Sequence, residues 1–202
     1  MPIVEEGQSG DMAGLTKVLD AERLIEEVGR LRTQVAQLEA RVEQLDQLAH
    51  QDSLINLPNR RGFMRALERF VDRAKRYEEP SAMLFVDVDG LKMINDTFGH
   101  KAGDEALIQV AQLLVDGVRR SDIVARIGGD EFGILLAHAD ETIAHDTANR
   151  LVNLIADCDF THEGYALPLS VAIGVGIVEA DDCPQSIMAR ADEEMYRRKA
   201  AA

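Results

Sequence analysis

Arg126-Ile127-Gly128-Gly129-Asp130-Glu131-Phe132 joins two apolar runs of this chain, residues 123–127 and 132–137. Because a Gly-Gly pair supplies the positive φ angles that a two-residue turn needs, the pattern predicts a tight β-hairpin. A hairpin does not need two adjacent carboxylates. Bare glycine lets a ligand approach the backbone closely, and paired carboxylates can hold a divalent cation. The alternative is a solvated polar turn, and the rest of the chain must decide between the two.

The composition is that of an acidic protein that can bury one core and carry an appendage. Hydrophobic residues make up 46% of the 202 residues, and the formal net charge is -14. This charge argues against nucleic acid as a partner, so a polyphosphate ligand would need metal ions or a few local cations. Cys158 and Cys183 have no metal-ligand spacing and are interpreted as reduced thiols. No apolar run is long enough to span a membrane and residues 1–14 are too acidic for a signal peptide, so we expect a cytoplasmic chain without a membrane partner.

A heptad repeat precedes the mixed part of the chain. Residues 1–14 lack periodicity and are expected to form a mobile tail, whereas residues 15–50 are expected to form a coiled-coil stalk. Valine at position a and leucine at position d favour a parallel two-stranded coiled coil, hence a homodimer. The alternative is an amphipathic helix packed on its own domain, which about four unbroken heptads make less favourable. The a and d residues are Leu24, Val28, Leu31, Val35, Leu38, Val42 and Leu45.

The remaining residues alternate between helix and strand signals. A helix capped by Asn59 and a buried strand over residues 81–88 come first, and the strand ends in Asp87-Val88-Asp89. Strand alternation places Asp87 and Asp89 on one side, where two acids need a cation or donors unless they form a solvated strand end. A polar loop, two further helices, the hairpin and a late strand with one bulky and one small face follow. A last helix over residues 185–199 completes a mixed α/β domain. The polar loop is expected to hold Lys92, Asn95, Asp96, Gly99, His100 and Asp104.

Several separated motifs in residues 52–199 resemble the GGDEF-domain diguanylate cyclases of bacteria. They are Gly128–Phe132, Asp52-Ser53-Leu54 with Leu57-Pro58-Asn59-Arg60, Asp87-Val88-Asp89 with Lys92, Asn95-Asp96, Phe98-Gly99-His100, Gly103-Asp104-Glu105, Ser170 with Ile173-Gly174, and Ala191-Asp192 with Tyr196 and Lys199. The resemblance implies that residues 51–202 form an α+β domain like the polymerase palm, with a central five-stranded mixed sheet and surrounding helices. It also implies that two GTP condense to cyclic di-GMP with release of two pyrophosphates, each of two facing domains holding one GTP.

The resemblance also implies a metal and phosphate site. Asp87, the carbonyl of Val88 and Asp130 would hold Mg²⁺ or Mn²⁺, which neutralises charge on the phosphoryl oxygens. Glu131 would either assist deprotonation of the attacking 3'-hydroxyl or share a metal ion. The residues expected to contact the triphosphate are Lys92, Lys199, Gly128 and Gly129, and Lys92 with Asp130 and Glu131 would be catalytic.

Asn95 and Asp104 would read the guanine edge, with Asp104 accepting from N1–H and the 2-amino group. Adenine lacks these donors, so an unpaired carboxylate would penalise ATP. Two departures from the family pattern stand near this region. Ile55-Asn56 replaces the usual Thr-Gly, and Gly90-Leu91 replaces a residue pair that usually ends in Phe.

Arg119 and Asp122 resemble the product-inhibition site of the family, in which they grip guanine and phosphate of cyclic di-GMP. The alternative is a charge cluster at a helix C-terminus. Two other functions are weighed against the cyclase: a non-catalytic receptor for GTP or cyclic di-GMP, and a dimerising scaffold. A sensor or regulatory partner that acts on the stalk is a further expectation.

Overall fold

The computed structural model describes residues 9–201, apart from the side chains of residues 9–22, 24, 25, 43–45, 47, 48 and 201. The chain separates into two compact units, Met1–Gln47 and Leu48–Ala202. The helices are α1 (Ser9–His50), α2 (Arg60–Tyr77), α3 (Leu91–Phe98), α4 (His100–Asp116), α5 (Glu141–Ala156) and α6 (Pro184–Ala201). The strands are β1 (Ser81–Val88), β2 (Ile123–Arg126), β3 (Glu131–Ala137), β4 (Thr161–His162), β5 (Tyr165–Ala166) and β6 (Val171–Val178).

The first unit contains most of α1. This helix begins at Ser9, inside the segment expected to be a tail, while residues 1–8 lie outside the described residues and their mobility stays a prediction. The described heptad side chains are 42–66% exposed, and they are Val28, Leu31, Val35, Leu38 and Val42. The side chains of Leu24 and Leu45 lie outside the described residues. Glu27 accepts hydrogen bonds from Arg30 one turn along the same helix.

The second unit is built on an antiparallel sheet. Over residues 48–201 this central sheet has four strands in the order β2-β3-β1-β6, and each neighbouring pair is antiparallel. The α/β class of the prediction is confirmed, but the expected five-stranded mixed sheet is wrong. Strands that share a direction never become neighbours, because β3 separates β2 from β1 and β1 separates β3 from β6. The hairpin β4–β5 forms a separate small sheet.

Side-chain alternation along β1 divides the core into two layers. Ala82, Leu84 and Val86 face one layer, which also contains the buried residues of α4 and α5. Met83 and Phe85 face the other layer, which contains the buried residues of α2 and α6. Odd-numbered residues of β1 therefore point toward α2 and α6, and this parity decides which side the catalytic candidates occupy.

Two local predictions are wrong. The polar segment after β1 was expected to be a loop but forms the short helix α3 and the first turns of α4. Most of its polar side chains are exposed and Asn95 is half-buried, while Leu91 and Ile94 are buried and supply the apolar contacts that hold α3. The Gly-Gly turn is also longer than predicted. Ile127–Asp130 connect the strands, and Gly128 and Gly129 are not among the residues with positive φ in the described chain.

The small face of β6 predicts close approach by another backbone or by a helix, and in the structure the helix α6 packs there. A Cβ at Gly174 would overlap the carbonyl oxygen of Ala191 and the backbone nitrogen of Met195, both in α6. This packing brings the end of α6 toward the end of β1. Among the helices of residues 9–201, none combines the length and the apolar character that crossing a membrane requires.

Candidate active site

The carboxylates predicted to be catalytic lie at one end of the central sheet. Asp87 is the cross-strand partner of Glu131, so their side chains project from the same face of neighbouring strands. The backbone N–H of Val88 donates to the carbonyl oxygen of Asp130 at 2.9 Å, which fixes the signature loop against the end of β1. The structure therefore brings Asp87, Asp130 and Glu131 together, although residues 87 and 130 are far apart in the sequence.

Glu131 is half-buried in a negative environment. Burial raises the pKa of its carboxyl, and the charges of Asp130, Asp87 and Asp192 raise it further, whereas the charge of Arg60 lowers it. Arg60 and Asp192 come from α2 and α6, and both belong to sequence motifs in which neither was given a role. A carboxyl with a raised pKa is suited to exchanging a proton, and an acidic cluster of this kind also favours a cation.

Lys199 supplies a cation at this site. Its ammonium group bonds the carboxylate of Asp87 and lies 3.3 Å from Asp89. The hydrogen bond with Asp87 raises the pKa of Lys199, which burial partly opposes. One ammonium contacting both acids confirms that Asp87 and Asp89 share a side, and the hydroxyl of Ser170 also donates to Asp89 at 3.0 Å.

Arg126 connects the signature loop to the start of the second unit. Its guanidinium donates to the carbonyl oxygen of Gly129 at 2.7 Å and to the carboxylate of Asp52 at 3.1 Å. Burial raises the pKa of Asp52, but hydrogen bonds from the backbone N–H groups of Ile55 and Leu54 and from Arg126 outweigh it, so the pKa is lowered overall. Arg126 and Asp52 each keep only a small exposed fraction, so the loop is held by a partly buried ion pair.

The donor set at this end of the sheet consists of oxygen atoms, the ligands that Mg²⁺ prefers. Across the described residues, no three His, Cys, Asp or Glu side chains form a group that could hold a metal ion. A metal bound here would therefore rely on two carboxylates, those of Asp87 and Asp130, a backbone carbonyl and the phosphates of its ligand. Such sharing is usual for Mg²⁺ in nucleotide-handling proteins, so the residues present fit a metal ion that arrives with nucleotide.

The predicted guanine-reading residues lie where α3 meets α4. Asn95 is half-buried, and its side chain packs so closely on Gly103 that a Cβ there would overlap the amide oxygen. Asp104, which directly follows Gly103 in α4, is exposed. Lys92 is exposed in the first turn of α3. Leu91, which stands where the family usually has Phe, is buried and packs in the core. The structure thus places Asn95 and Asp104 at one corner.

Arg119 and Asp122 lie in a turn beyond α4, which ends at Asp116, so a helix C-terminal cluster does not describe them. The carboxylate of Asp122 accepts from the backbone N–H groups of Arg119 at 2.8 Å and Ala137 at 3.1 Å. The exposed Arg119 lines a cavity of about 340 Å³ together with Asp122 and Arg150.

Sequence reasoning gave no role to several residues at these sites, namely Asp52, Arg60, Arg126, Arg150 and Asp192. Asp52 and Arg126 were quoted as parts of motifs but received no role. An opposite-charge pair made of one Asp and one Arg could have indicated their contact. The two residues stand in separate motifs, however, and no local spacing connects them. Arg150 lies in the middle of α5, where an exposed arginine has no distinguishing pattern.

The fold and the site together define an α+β domain with an acidic site at one end of an antiparallel sheet. The family model described as "Diguanylate cyclase, GGDEF domain" matches residues 49–202. The chain therefore belongs to the GGDEF-domain diguanylate cyclase family.

Known proteins agree with this assignment. The diguanylate cyclase DgcP of Pseudomonas aeruginosa is 33% identical over 88% of this chain and 26% of its own length. The diguanylate cyclase TpbB of the same species is 39% identical over 75% of this chain and 35% of its own length. This chain thus spans about a quarter to a third of these relatives. The coiled coil and GGDEF domain of DgcB from Caulobacter crescentus, in complex with c-di-GMP, has the same fold, with a TM-score of 0.81 at 24% identity over 89% of this chain and 95% of that chain.

Proposed function

We propose that this chain is a diguanylate cyclase that condenses two GTP into cyclic di-GMP and two pyrophosphates. The observation that carries the proposal is the meeting of Asp87, Asp130, Glu131 and Lys199 at the end of β1 and β3. In each half-reaction the 3'-oxygen of one GTP forms a bond to the α-phosphorus of the other. The bond from that phosphorus to the bridging oxygen breaks, pyrophosphate leaves, and the hydroxyl proton is released.

Asp87, the carbonyl of Val88 and Asp130 would hold Mg²⁺ or Mn²⁺. When bound, the metal would neutralise charge that develops on the phosphoryl oxygens. Lys199, already paired with Asp87 and Asp89, would turn toward the triphosphate as the metal takes its place among the acids. Lys92, exposed in the first turn of α3, would supply a second cation, and Gly129 leaves open space beside the loop for the substrate to approach.

Glu131 either accepts the proton of the 3'-hydroxyl or shares a metal ion. Its raised pKa supports the first role because a base with a pKa closer to neutrality transfers a proton more readily. Asn95 and Asp104 would select guanine, with the Asp104 carboxylate accepting from N1–H and the 2-amino group.

The reaction requires two domains, each with its own GTP, so we propose a homodimer through a parallel coiled coil of α1. The exposed stripe of Val28, Leu31, Val35, Leu38 and Val42 supports this, because such a stripe is covered when two helices pair. The stalk would raise the effective concentration of one domain beside the other. It would also offer a regulatory or sensor partner a surface on which to change their relative position. GTP is a cytoplasmic nucleotide, so the domain would act in the cytoplasm.

A direct test is incubation of the chain with GTP and Mg²⁺, followed by chromatographic separation of nucleotides. We expect cyclic di-GMP and pyrophosphate in a 1:2 ratio. Asp130→Ala should reduce turnover by about a hundredfold or more, because a ligand of the phosphoryl-transfer site is lost. Asp72→Ala, which removes an exposed acid from α2, is the matched control and should keep wild-type turnover.

Other outcomes of the same incubation separate the alternatives. Tight nucleotide binding without turnover would favour a receptor for GTP or cyclic di-GMP, and dimerisation without nucleotide binding would favour a scaffold. Full turnover in Asp130→Ala would remove that residue from the metal site.

We also propose that cyclic di-GMP inhibits the enzyme at Arg119 and Asp122. The cavity beside them supports this, because its two arginines, Arg119 and Arg150, can pair with phosphate or with acceptor atoms of guanine. Arg119→Ala should raise the product concentration needed for half inhibition by roughly tenfold, measured by adding cyclic di-GMP to the assay. Arg120→Ala removes a neighbouring exposed charge and is the control. Equal inhibition in all three proteins would place the regulatory site elsewhere.

A further inference from the structure

His162 is a buried ionisable side chain that the proposed chemistry does not use. Among the described residues, the buried polar or charged side chains are those of Ser81 and His162, and His162 is 5% exposed. His162 lies in β4, the first strand of the hairpin that stands apart from the central sheet. Burial of a histidine without a hydrogen-bond partner is costly in free energy. The contacts of His162 therefore indicate which part of the fold the hairpin stabilises.

The hairpin depends on its docking contacts. Its two strands pair over only two residue pairs, and a hairpin of that size is not stable by itself. Nδ1 of His162 lies 2.7 Å from a carboxylate oxygen of Glu105 in α4. The ring of Tyr165 lies 5.8 Å from that of Phe98, the last residue of α3, at an interplanar angle of 46°. The hairpin is thus attached to both helices at the α3–α4 corner.

These two contacts flank the residues proposed to read guanine. Glu105 directly follows Asp104 in α4, and Phe98 lies one turn beyond Asn95 in α3. The side chain of Asn95 packs against Gly103, so α3 and α4 are in close contact at this point. A small rotation of either helix would therefore move Asn95 relative to Asp104.

The geometry points to a positioning role: we propose that the hairpin of residues 161–166 holds the α3–α4 corner in the geometry that binds guanine, with His162 as the positioning residue. This inference rests on the proposed function, because it takes a guanine nucleotide as the ligand. It adds a specificity-determining element that does not touch the nucleotide. The bond between His162 and Glu105 is the polar part of this attachment; it is charge-assisted through the carboxylate, and its histidine is buried.

The electrostatics of Glu105 agree with this role. The hydrogen bond from His162 lowers the pKa of Glu105, burial opposes it, and the charges of His162 and Lys101 lower it further. Lys101, in the same helix, lies 3.7 Å from the carboxylate. When His162 is removed, Lys101 is the remaining cation for Glu105, and it belongs to α4 itself. The hairpin then loses its polar attachment, while the carboxylate keeps a partner.

The test compares His162→Phe, which keeps ring volume but has no donor, with His162→Gln, which restores a donor. Thr161→Ala, at an exposed position on the same strand, is the matched control. Equilibrium binding is measured with a GTP analogue whose α,β-bridging oxygen is replaced by methylene, and kcat and KM are measured with GTP. The same measurements with inosine triphosphate, which lacks the 2-amino group, report discrimination at the guanine edge.

We expect His162→Phe to raise Kd and KM for GTP by roughly tenfold, the size expected for a lost charge-assisted hydrogen bond, while kcat stays within about twofold. The preference for GTP over inosine triphosphate should fall in parallel, and His162→Gln should recover part of both. Glu105→Gln, on a side chain that is 40% exposed, should move KM in the same direction and keeps the test available if His162→Phe does not fold.

Unchanged Kd, KM and nucleotide preference in His162→Phe and Glu105→Gln would overturn the inference, even with a lower melting temperature, because the pair would then be merely structural. If the wild type binds GTP but forms no cyclic product, the cyclase proposal fails while the binding measurements still decide the role of the hairpin. If the wild type does not bind GTP, both proposals fail.

Discussion

At the scale of single residues, the site works through charges that the fold forces together. Asp87 in β1, Asp130 in the signature loop and Asp192 in α6 act on Glu131, and the charge of Arg60 opposes them. The resulting field makes the unprotonated Glu131 costly in the absence of a cation. The same field attracts Lys199 to Asp87 and Asp89. Under the proposed function, a metal ion and the triphosphate of GTP would bind at this position of an otherwise acidic protein.

Glu131→Gln tests this field through stability and activity. Because the pKa of Glu131 is raised above its ordinary value of 4.5, the folded state holds the proton more tightly than the unfolded state. The contribution of protonated Glu131 to the free energy of unfolding is complete below pH 4.5 and is lost as the pH rises through the folded-state pKa. We therefore expect the nucleotide-free variant to have a higher free energy of unfolding than the wild type at pH 7, with the difference disappearing below pH 4.5.

Denaturant titrations at a series of pH values measure this difference, with Glu163→Gln on an exposed turn as the control. Turnover of Glu131→Gln should fall by about a hundredfold, as for the loss of a general base. A pH-independent difference, or a less stable variant at pH 7, would contradict the described environment. A pH–rate profile that keeps its acidic limb in Glu131→Gln would assign Glu131 to the metal rather than to the proton.

At the scale of elements, two attachments hold the site in place. Arg126 ties the signature loop to Asp52 at the start of the second unit, and the small residues of β6 let α6 approach closely enough to deliver Lys199. Neither attachment provides a group that needs to touch a nucleotide. Both attachments determine where the candidate nucleotide-binding groups are held. Substitutions at the attachments should therefore alter the positions of those groups without removing any of them.

Arg126→Gln should loosen the signature loop. The substitution leaves the carboxylate of Asp52, about four fifths buried, without its cation and the carbonyl of Gly129 without its donor. We expect a loss of about 2 kcal/mol in the free energy of unfolding and roughly a tenfold loss in kcat. Arg61→Gln, at an exposed position in α2, is the control for removal of a positive charge. Wild-type kcat in Arg126→Gln would show that the loop holds its conformation without the bridge.

Gly174→Ala should displace α6 from the sheet. The added methyl group would overlap backbone atoms of Ala191 and Met195, which cannot move independently of the helix. We expect a loss of about 3 kcal/mol or more in the free energy of unfolding, measured by thermal or denaturant unfolding. Gly29→Ala is the control, because a Cβ there meets no atom within 4 Å and the exposed helix should become slightly more stable. Equal stability of Gly174→Ala and the wild type would refute the close packing.

At the scale of the whole molecule, the proposed reaction joins two GTP molecules held by two domains, so each domain would have to meet a second copy. The heptad stripe of α1 is the feature that supports such pairing, because its described members remain 42–66% exposed along one chain. An isolated helix would gain nothing from a stripe of this kind, whereas two helices would bury it between them.

Leu31→Asp combined with Leu38→Asp should therefore separate the copies. Charges at two d positions would be buried at the coiled-coil seam, which disfavours association. We expect sedimentation to show monomers and turnover per subunit to fall at least tenfold at low protein concentration, rising again as the concentration increases. Ala36→Asp combined with Ala40→Asp adds the same charge at positions outside the seam and should leave both measurements unchanged. Concentration-independent turnover in the leucine variant would rule out the stalk as the dimer contact.

The sequence alone predicted the elements whose signals are local. Asn59 caps α2 as predicted, the apolar run of residues 81–88 is β1, and the alternation of β6 gave the side on which a helix approaches. The polar residues between 92 and 104 misled the prediction, because buried Leu91 and Ile94 are too few to produce a clear helical pattern in so short a helix. The resemblance to the family then predicted which residues form the site, but it did not give the distances or contacts between them.

What the sequence by itself determined is the inventory: an apolar stripe on a long helix, strand ends that carry acids, and a glycine-rich loop between paired strands. Only the tertiary structure decided the sheet order, and with it the antiparallel neighbours and the meeting of Asp87 with Glu131. It also decided that Asp52 reaches Arg126 and that His162 is buried against Glu105. The physical reason is that periodicity reports which face of an element is apolar, while contacts between residues 57 to 74 positions apart depend on how those faces pack.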